Sequence, residues 1–458
     1  MPIVLKLFLR VCCGESLILK DRGRTCKSRL FGGIKGRNEN KITHREAPSS
    51  SARGFTSLLT IRSLTPQQVT GNALAAGFII FLALATLLPI PAHGLEPGRS
   101  TENVRQASDH FDGSNYFNPG VSQPSPAPPG QEPERSRPAW IWRWIFGSEW
   151  PAWPDVKDFP PGRPPAARVP QGALLVTPVG HATFLIQMDG VNILTDPMWS
   201  ERCSPVSWAG PRRHRKPGIR FEDLPAVDIV LVSHNHYDHL DLPTLTRFAE
   251  KGVPRAVVPL GNLALVRGTG IPSVDELDWW QSVRLSPDVM VTLVPAQHFS
   301  ARTPWDRDKT LWGGFVVSGP SGNVYYAGDT GYGPHFREIA RRFSPIRVAL
   351  LPISPFRPQQ SKEQPHNHRP PIHMEPAEAV QAHVDLGAEV SIAAHFQVFQ
   401  LGADGFSDAV NDLAAALKER NLKPGAFVAP TLGRAIVLTK SQVESVGPVS
   451  FDTSGLNR

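Results

Sequence analysis

An α+β fold, two sheets covered by helices, follows from three features of this 458-residue chain. Short apolar runs separated by turn residues begin near Ala173 and continue almost to the C-terminus. Strand patterns dominate early and helical patterns are inserted later, unlike the strict alternation of a βα barrel. Several of the apolar runs also end on His or Asp, as a site built along one edge of a sheet requires.

In order, "TFLIQM" and "VNILTD" flank Asp189–Gly190, a strong two-residue hairpin signal. "DIVLVS", "RAVVPL", "VTLVPA", "WGGFVVSG", "NVYYAG", "RVALLPIS", "EVSIAA" and "RAIVLT" read as further strands, each a short, largely apolar run of six to eight residues. Four segments carry helical spacing: "PTLTRFAEKG", closing on Gly252; "PHFREIARRF"; "EPAEAVQAHVDLG", with Pro376 in its first turn; and "SDAVNDLAAALKERN". The folded domain is thereby placed at residues 171–445, with a short tail at 446–458. No repeat of fixed period is visible.

The residues before the domain have a different character. Residues 1–70 hold 13 Lys/Arg and 4 Asp/Glu, leaving 35 basic against 37 acidic residues in the rest of the chain. The formal net charge of +7 is therefore a property of the tail. The main body has no basic stripe and is not expected to bind nucleic acid. The tail itself reads as disordered or as a mis-assigned start. Residues 71–94 contain the uncharged stretch Ala73–Ala92, close to the roughly 20 residues that cross a bilayer. It is expected to act as an export signal or an inner-membrane anchor, which would put the domain in the cell envelope or periplasm. Residues 95–170 read as a connector with 15 prolines. Its tryptophans, Trp140, Trp142, Trp144, Trp150 and Trp153, would pack on the domain or sit at a membrane interface. Of four cysteines only Cys203 lies in the domain, so no internal disulfide and no CxxC metal motif is expected there.

The chemistry concentrates in "SHNHYDHLD", Ser233–Asp241, directly after the strand "DIVLV". His234 and His236 are two apart in extended chain, so their rings can share one ion. Asp238 and His239 follow where the chain turns toward a helix and can face a second. His298, Asp329 and His395 each end another strand. Seven nitrogen and oxygen donors of this kind suit two zinc ions, with one carboxylate reaching both. Any one of these residues alone would more simply be a core or turn residue; their convergence on strand ends is the signal. Asp196 in "LTDP" is expected to accept the free N–H of a ligand histidine. His181 in "GHAT" stays open between that kind of support and a satisfied core histidine. No GxSxG elbow is present, so no protein nucleophile is expected.

"SHNHYDHLD" with the downstream His, Asp and His resembles the metallo-β-lactamase superfamily. "GHATFLIQMDGVNILTDPMWSERCSPVSWAGPRRHRKPGI", "LDWW", "LWGGF", "AGDTGYGPHFREI" and "HMEPAEAV" resemble one branch, the N-acylphosphatidylethanolamine-hydrolysing phospholipases D, over about residues 108–440. The resemblance implies a four-layer αβ/βα sandwich and a binuclear zinc site. His234, His236 and His298 would hold one ion, Asp238, His239 and His395 the other, and Asp329 would bridge. It also implies hydrolysis of a phospholipid diester by a metal-bridging hydroxide, at a membrane surface, with Asp238, Asp329 and His373 as catalytic residues. Tyr237 and His373 would contact substrate. The loop before His373, "SPFRPQQSKEQPHNHRPPI", is longer and richer in Pro than the family pattern and leaves acyl-chain preference open. It includes His366 and His368, read as solvated. The basic run Gly210–Gly218 would meet anionic headgroups or form a solvated loop. A lactonase, a nuclease-type phosphodiesterase and a non-catalytic metal-binding envelope protein are the competing readings. Oligomeric state is left open.

Overall fold

The structure, a computed structural model, describes residues 108–120, 150–154, 156, 162–357, 372–438 and 443–444. In chain order the elements are β1 (Leu174–Gly180), β2 (Thr183–Met188), β3 (Val191–Thr195), β4 (Ile229–Leu231), α1 (Leu242–Glu250), β5 (Arg255–Pro259), α2 (Leu263–Arg267), β6 (Ser273–Leu277), β7 (Ser282–Arg284), β8 (Met290–Val294), β9 (Gly314–Gly319) and β10 (Gly322–Tyr326). They continue with α3 (His335–Phe343), β11 (Ile346–Pro352), α4 (Pro376–Leu386), β12 (Val390–Ala394), α5 (Asp408–Glu419), β13 (Phe427–Val428), β14 (Ile436–Leu438) and β15 (Val443–Glu444). One sheet runs β15-β14-β1-β2-β3-β4-β5-β6 and the other β13-β12-β11-β10-β9-β8-β7.

Strand alternation sorts the side chains into layers. Phe184 and Ile186 of β2, Leu293 of β8, Val317 of β9, Tyr326 of β10 and Leu350 of β11 face one another between the sheets. Their neighbours point the other way. Leu185 and Val230 meet Leu245 and Phe248 of α1 and Val266 of α2. Val316, Tyr325, Ala349 and Leu351 meet Phe336 and Ile339 of α3, Val380 and Leu386 of α4, and Leu413 of α5. Both faces of each sheet are buried, which is why the strands read as continuous apolar runs. The result is the αβ/βα sandwich expected.

Local signals act as their chemistry dictates. Asp189 and Gly190 both adopt positive φ, 49° and 81°, and close the β2–β3 hairpin. In α4, Pro376 starts the helix, Glu375 and Glu378 form a reciprocal capping box, and Gly387 ends it in the left-handed conformation.

Two expectations need correction. Part of the connector belongs to the folded domain: Tyr116 is buried in the inter-sheet core, and His110 stacks on Trp279 with ring centroids 3.9 Å apart. Trp153 packs on the domain, one of the two fates expected of the connector tryptophans: it is buried and donates to Asp404 O at 2.7 Å. The run Gly210–Gly218 is not a wholly solvated loop. Arg213 and Arg215 are buried; Arg213 Nη2 donates to Met198 O at 2.7 Å, and Arg215 Nη1 to Gln397 Oε1 at 3.0 Å. Alternation in an extended ribbon turns these two inward and leaves Arg212 and Lys216 outside. Among the described residues no helix is long and apolar enough to cross a membrane. The tail 1–70, the stretch Ala73–Ala92, Trp140, Trp142, Trp144, His366, His368 and the tail 446–458 lie outside them.

Candidate metal centre

Six strands deliver side chains to one edge of the sandwich. His181 follows β1, Asp196 follows β3, and His234–His239 follow β4. His298 lies just past β8, Asp329 just past β10, and His395 directly after β12. The approach of the two sheets is close here. Gly328 has φ +61°, and a Cβ on it would lie 2.6 Å from Ser233 Cβ, so only glycine lets Asp329 swing over the ligand turn. His395 N donates to His181 O at 2.9 Å, tying the ends of β12 and β1 together. His181, Asp196 and His395 all have positive φ, 51°, 33° and 60°. Non-glycine residues held there cost about 1–3 kcal/mol each, and such strain gathers at functional sites.

The seven expected donors do meet. His234 Nε2 lies 2.8 Å from His236 Nδ1, and His298 Nε2 lies 3.2 Å from the same atom. Asp238 Oδ2 is 3.2 Å from His239 Nε2 and 3.2 Å from His395 Nε2. Asp329 Oδ2 sits between the groups: 3.2 Å from His395 Nε2, 3.3 Å from His239 Nε2, 3.7 Å from His298 Nε2 and 4.0 Å from His234 Nε2. Four donors at about 2.0–2.1 Å from one ion stand about 3.3 Å apart, so these spacings are those of coordination shells.

The tautomers give a sharper test of fit. His239 Nδ1 donates to Asp196 Oδ2 at 2.6 Å, which turns Nε2 toward the centre. Nε2 faces two carboxylates, 3.2 Å from Asp238 Oδ2 and 3.3 Å from Asp329 Oδ2. His298 Nδ1 donates to Ile372 O at 2.9 Å, which turns its Nε2 lone pair inward. His234 Nδ1 donates to Ser233 Oγ at 2.9 Å, and that hydroxyl donates to Asp196 Oδ2 at 2.5 Å. The Nε2 lone pairs of His234 and His298 thus face the Asp329 carboxylate in a buried space. A cation satisfies such an arrangement; an apolar core does not.

Electrostatics agree. Burial disfavours the charged forms of Asp238 and Asp329, yet His239 beside both holds each carboxyl well below its usual range. Burial would lower His395, but Asp329 and Asp238 push it up to about 9. His239 is raised well above its usual value against the same burial, by Asp329 and Asp238. Burial pushes His236 down to about 4 and His234 and His298 well below the usual value, so these rings are neutral and able to coordinate.

Asp196 is fully buried and acts as a hub. Besides His239 and Ser233 Oγ it accepts Ser233 N at 2.7 Å and the Tyr326 hydroxyl at 2.5 Å. His181 Nε2 lies 2.9 Å from Asp238 Oδ2, and the ring, lowered to about 3 by burial, is neutral. It belongs with Asp238, His239 and His395 to one four-donor group. His373 lines the open side: Nδ1 is 3.7 Å from Asp329 Oδ2 and has no hydrogen-bond partner among the described residues. Tyr237 is half buried against the cluster of Met198, Cys203, Val398 and Phe399, and Arg302 covers its ring at 3.9 Å. Sequence reasoning missed Arg302 and Asn118. Asn118 Nδ2 donates to His298 O at 2.9 Å from 180 positions away, so no local pattern points to it.

A fold of this kind with buried His and Asp clusters at its strand ends defines a metal-dependent hydrolase of the metallo-β-lactamase fold. A β-lactamase superfamily domain profile matches residues 191–396. The chain is 39% identical over 270 residues to an uncharacterised protein of Mycobacterium tuberculosis, covering 56% of this chain and 69% of that one. It is 33% identical over 277 residues to N-acyl-phosphatidylethanolamine-hydrolyzing phospholipase D 1 of Caenorhabditis elegans, covering 57% and 75%. It is 30% identical over 258 residues to a metal-dependent hydrolase of Methanopyrus kandleri, covering 55% and 97%. The chain belongs to the metallo-β-lactamase superfamily, with relatives among the N-acylphosphatidylethanolamine-hydrolysing phospholipases D.

Proposed function

We propose that the protein is a zinc-dependent phosphodiesterase of the phospholipase D type, acting on N-acylphosphatidylethanolamine-like lipids. The observation that carries the reading is the placement of Asp329 Oδ2 within 4.0 Å of donors from both groups. One ion would be held by His234, His236 and His298, a second by Asp238, His239 and His395, with Asp329 shared. When bound, two zinc ions would supply a nucleophile at neutral pH and Lewis-acid charge against phosphoryl oxygens.

The chain's own residues complete the reaction. Asp196 and Ser233 hold His239 and His234 in the ligating tautomer. His373, lowered to about 4 by burial, is neutral, so one ring nitrogen carries a proton. Its unpartnered Nδ1 faces the centre, where the ring would hydrogen-bond a phosphoryl oxygen or the departing alkoxide. His181 would steady Asp238 through Oδ2. Attack at phosphorus with P–O cleavage gives phosphatidate and N-acylethanolamine. The relationship to the Caenorhabditis elegans enzyme supports this substrate class. So does Trp305, 70% exposed on the loop whose Arg302 packs on Tyr237, in a position to rest at a lipid surface. On the same reading Ala73–Ala92 would bring the enzyme to the cell envelope.

The test is to give the full-length protein N-acylphosphatidylethanolamine in mixed micelles, a bis-aryl phosphodiester and a lactone, each with and without chelator. N-acylethanolamine release, abolished by chelator and by Asp329→Asn, is expected. Turnover of the lactone alone overturns the proposal.

A further inference from the structure

We propose that Arg302 is a positioning residue that clamps the ligand-bearing turn and thereby sets the two metal-binding groups relative to each other; this rests on the metal-site reading above. The turn Asn235–Leu240 lies outside the strands and helices. Inside it His239 N and Leu240 N both donate to His236 O, at 3.1 and 2.8 Å. Its two end carbonyls are held from outside by a single atom. Arg302 Nη1 donates to Asn235 O at 2.8 Å and to Leu240 O at 2.9 Å. Between those carbonyls lie His236, which belongs to the first donor group, and Asp238 and His239, which belong to the second.

A third point of contact fixes the remaining freedom. The guanidinium lies over the Tyr237 ring, 3.9 Å from its centroid, so the turn is pinned at both ends and in its middle. The arginine is itself held: Asp306 Oδ1 accepts Arg302 N at 2.9 Å and Thr303 N at 2.7 Å. A planar fork that stacks and donates at once is a property of arginine; a lysine ammonium cannot do both. Movement of the turn would shift His236 against one ion and Asp238 with His239 against the other, so loss of the clamp loosens both sites together.

The test uses full-length wild type, Arg302→Lys and Arg302→Ala. Zinc affinity and stoichiometry are read by competition with a chromophoric chelator, and kcat and KM separately. Partners that orient ligands typically alter metal affinity by 10–100-fold, and both variants are expected to lose affinity in that range, with kcat falling and KM nearly unchanged. Millimolar methylguanidinium should restore part of the lost affinity in Arg302→Ala, which a merely space-filling role would not allow. Should both variants fail to fold, Tyr237→Leu keeps Arg302 but removes the face it rests on, and reduced zinc affinity is again expected. Wild-type zinc affinity in a folded Arg302→Lys or, failing that, in Tyr237→Leu overturns the proposal. Failure of the metal-site reading looks different: wild type itself would then bind no zinc.

Discussion

Replacing Asp196 by Asn removes one oxygen and one charge from the hub behind the metal centre. Asp196 receives four donors, at 2.5–2.7 Å, and is fully buried. If the new amide nitrogen takes the place of Oδ1, it meets Ser233 N–H, a backbone donor that cannot turn away. If it takes the place of Oδ2, it meets the Ser233 and Tyr326 hydroxyls, which can rotate, and His239 Nδ1–H, which cannot. Relief there requires His239 to give up its Nδ1 proton and keep one on Nε2, the atom that faces Asp238 and Asp329. Either placement leaves a buried donor unsatisfied, about 1–3 kcal/mol, and removes charge-assisted bonds. Breaking a buried, hydrogen-bonded charged group in this way costs about 3–5 kcal/mol in all. Urea unfolding in excess chelator should show that loss in the metal-free protein, and zinc affinity should fall 10–100-fold. An Asp196→Asn protein with unchanged unfolding midpoint and zinc affinity would refute the reasoning. Lower stability with unchanged affinity would make Asp196 a core hub only, with no influence on the His239 tautomer.

His373→Ala should lower kcat by about 10²–10⁴, the range for a lost general acid or base, while zinc content stays unchanged. The bond that orients His298 uses Ile372 O, which the substitution keeps; steady-state kinetics with metal analysis checks this, and a halved zinc content would contradict it. Zinc binding near pH 7 should release protons. Burial lowers His395 but the Asp329 and Asp238 carboxylates raise it to about 9, so the metal-free ring is protonated at neutral pH and must give up that proton to coordinate. Affinity should then rise with pH up to about 9. The same raised value gives the metal-free fold stability that is fully present below about pH 6.5, the usual His value, and lost as pH rises through about 9. Calorimetric titrations in buffers of differing ionisation enthalpy at pH 7 check the proton release; buffer-independent heats would contradict it.

The layers of the fold were legible because periodicity reports which face is buried. Runs such as "RVALLPIS" and "WGGFVVSG" are mostly apolar since sheets covered on both sides bury nearly every position; β11 is buried along its whole length and β9 up to its last two residues. Weak elements escaped for the converse reason. β6 and β7, "SVDEL" and "SVR", are sheet edges with half-exposed side chains, and β1 carries Pro178 inside its run. The strap Ser108–Gly120 has no period at all: it holds by single residues, Tyr116 in the core and His110 against Asp278 at 2.8 Å. Asp196 could be placed behind a ligand histidine because a carboxylate at a strand end beside other ligand-bearing strands has little else to do.

The support of the centre is harder to read because it depends on partners distant in sequence. Arg302 sits 67 and 62 positions from the carbonyls it holds, inside "SARTPWDRDK", a stretch whose composition reads as an ordinary polar loop. Composition also misled at Gly210–Gly218, where charge suggested solvent but extended geometry buried two of its arginines. The same limit explains the positive φ angles at His181, Asp196 and His395. Glycine in such positions announces itself; His and Asp do not, since their identity is set by the side-chain contacts they make and the backbone must comply. Ligand identity is therefore the part of a metal centre that sequence encodes locally, and ligand orientation the part that only the assembled fold encodes. Substitutions at Asp196 and Arg302 probe the second part while every donor atom stays in the chain.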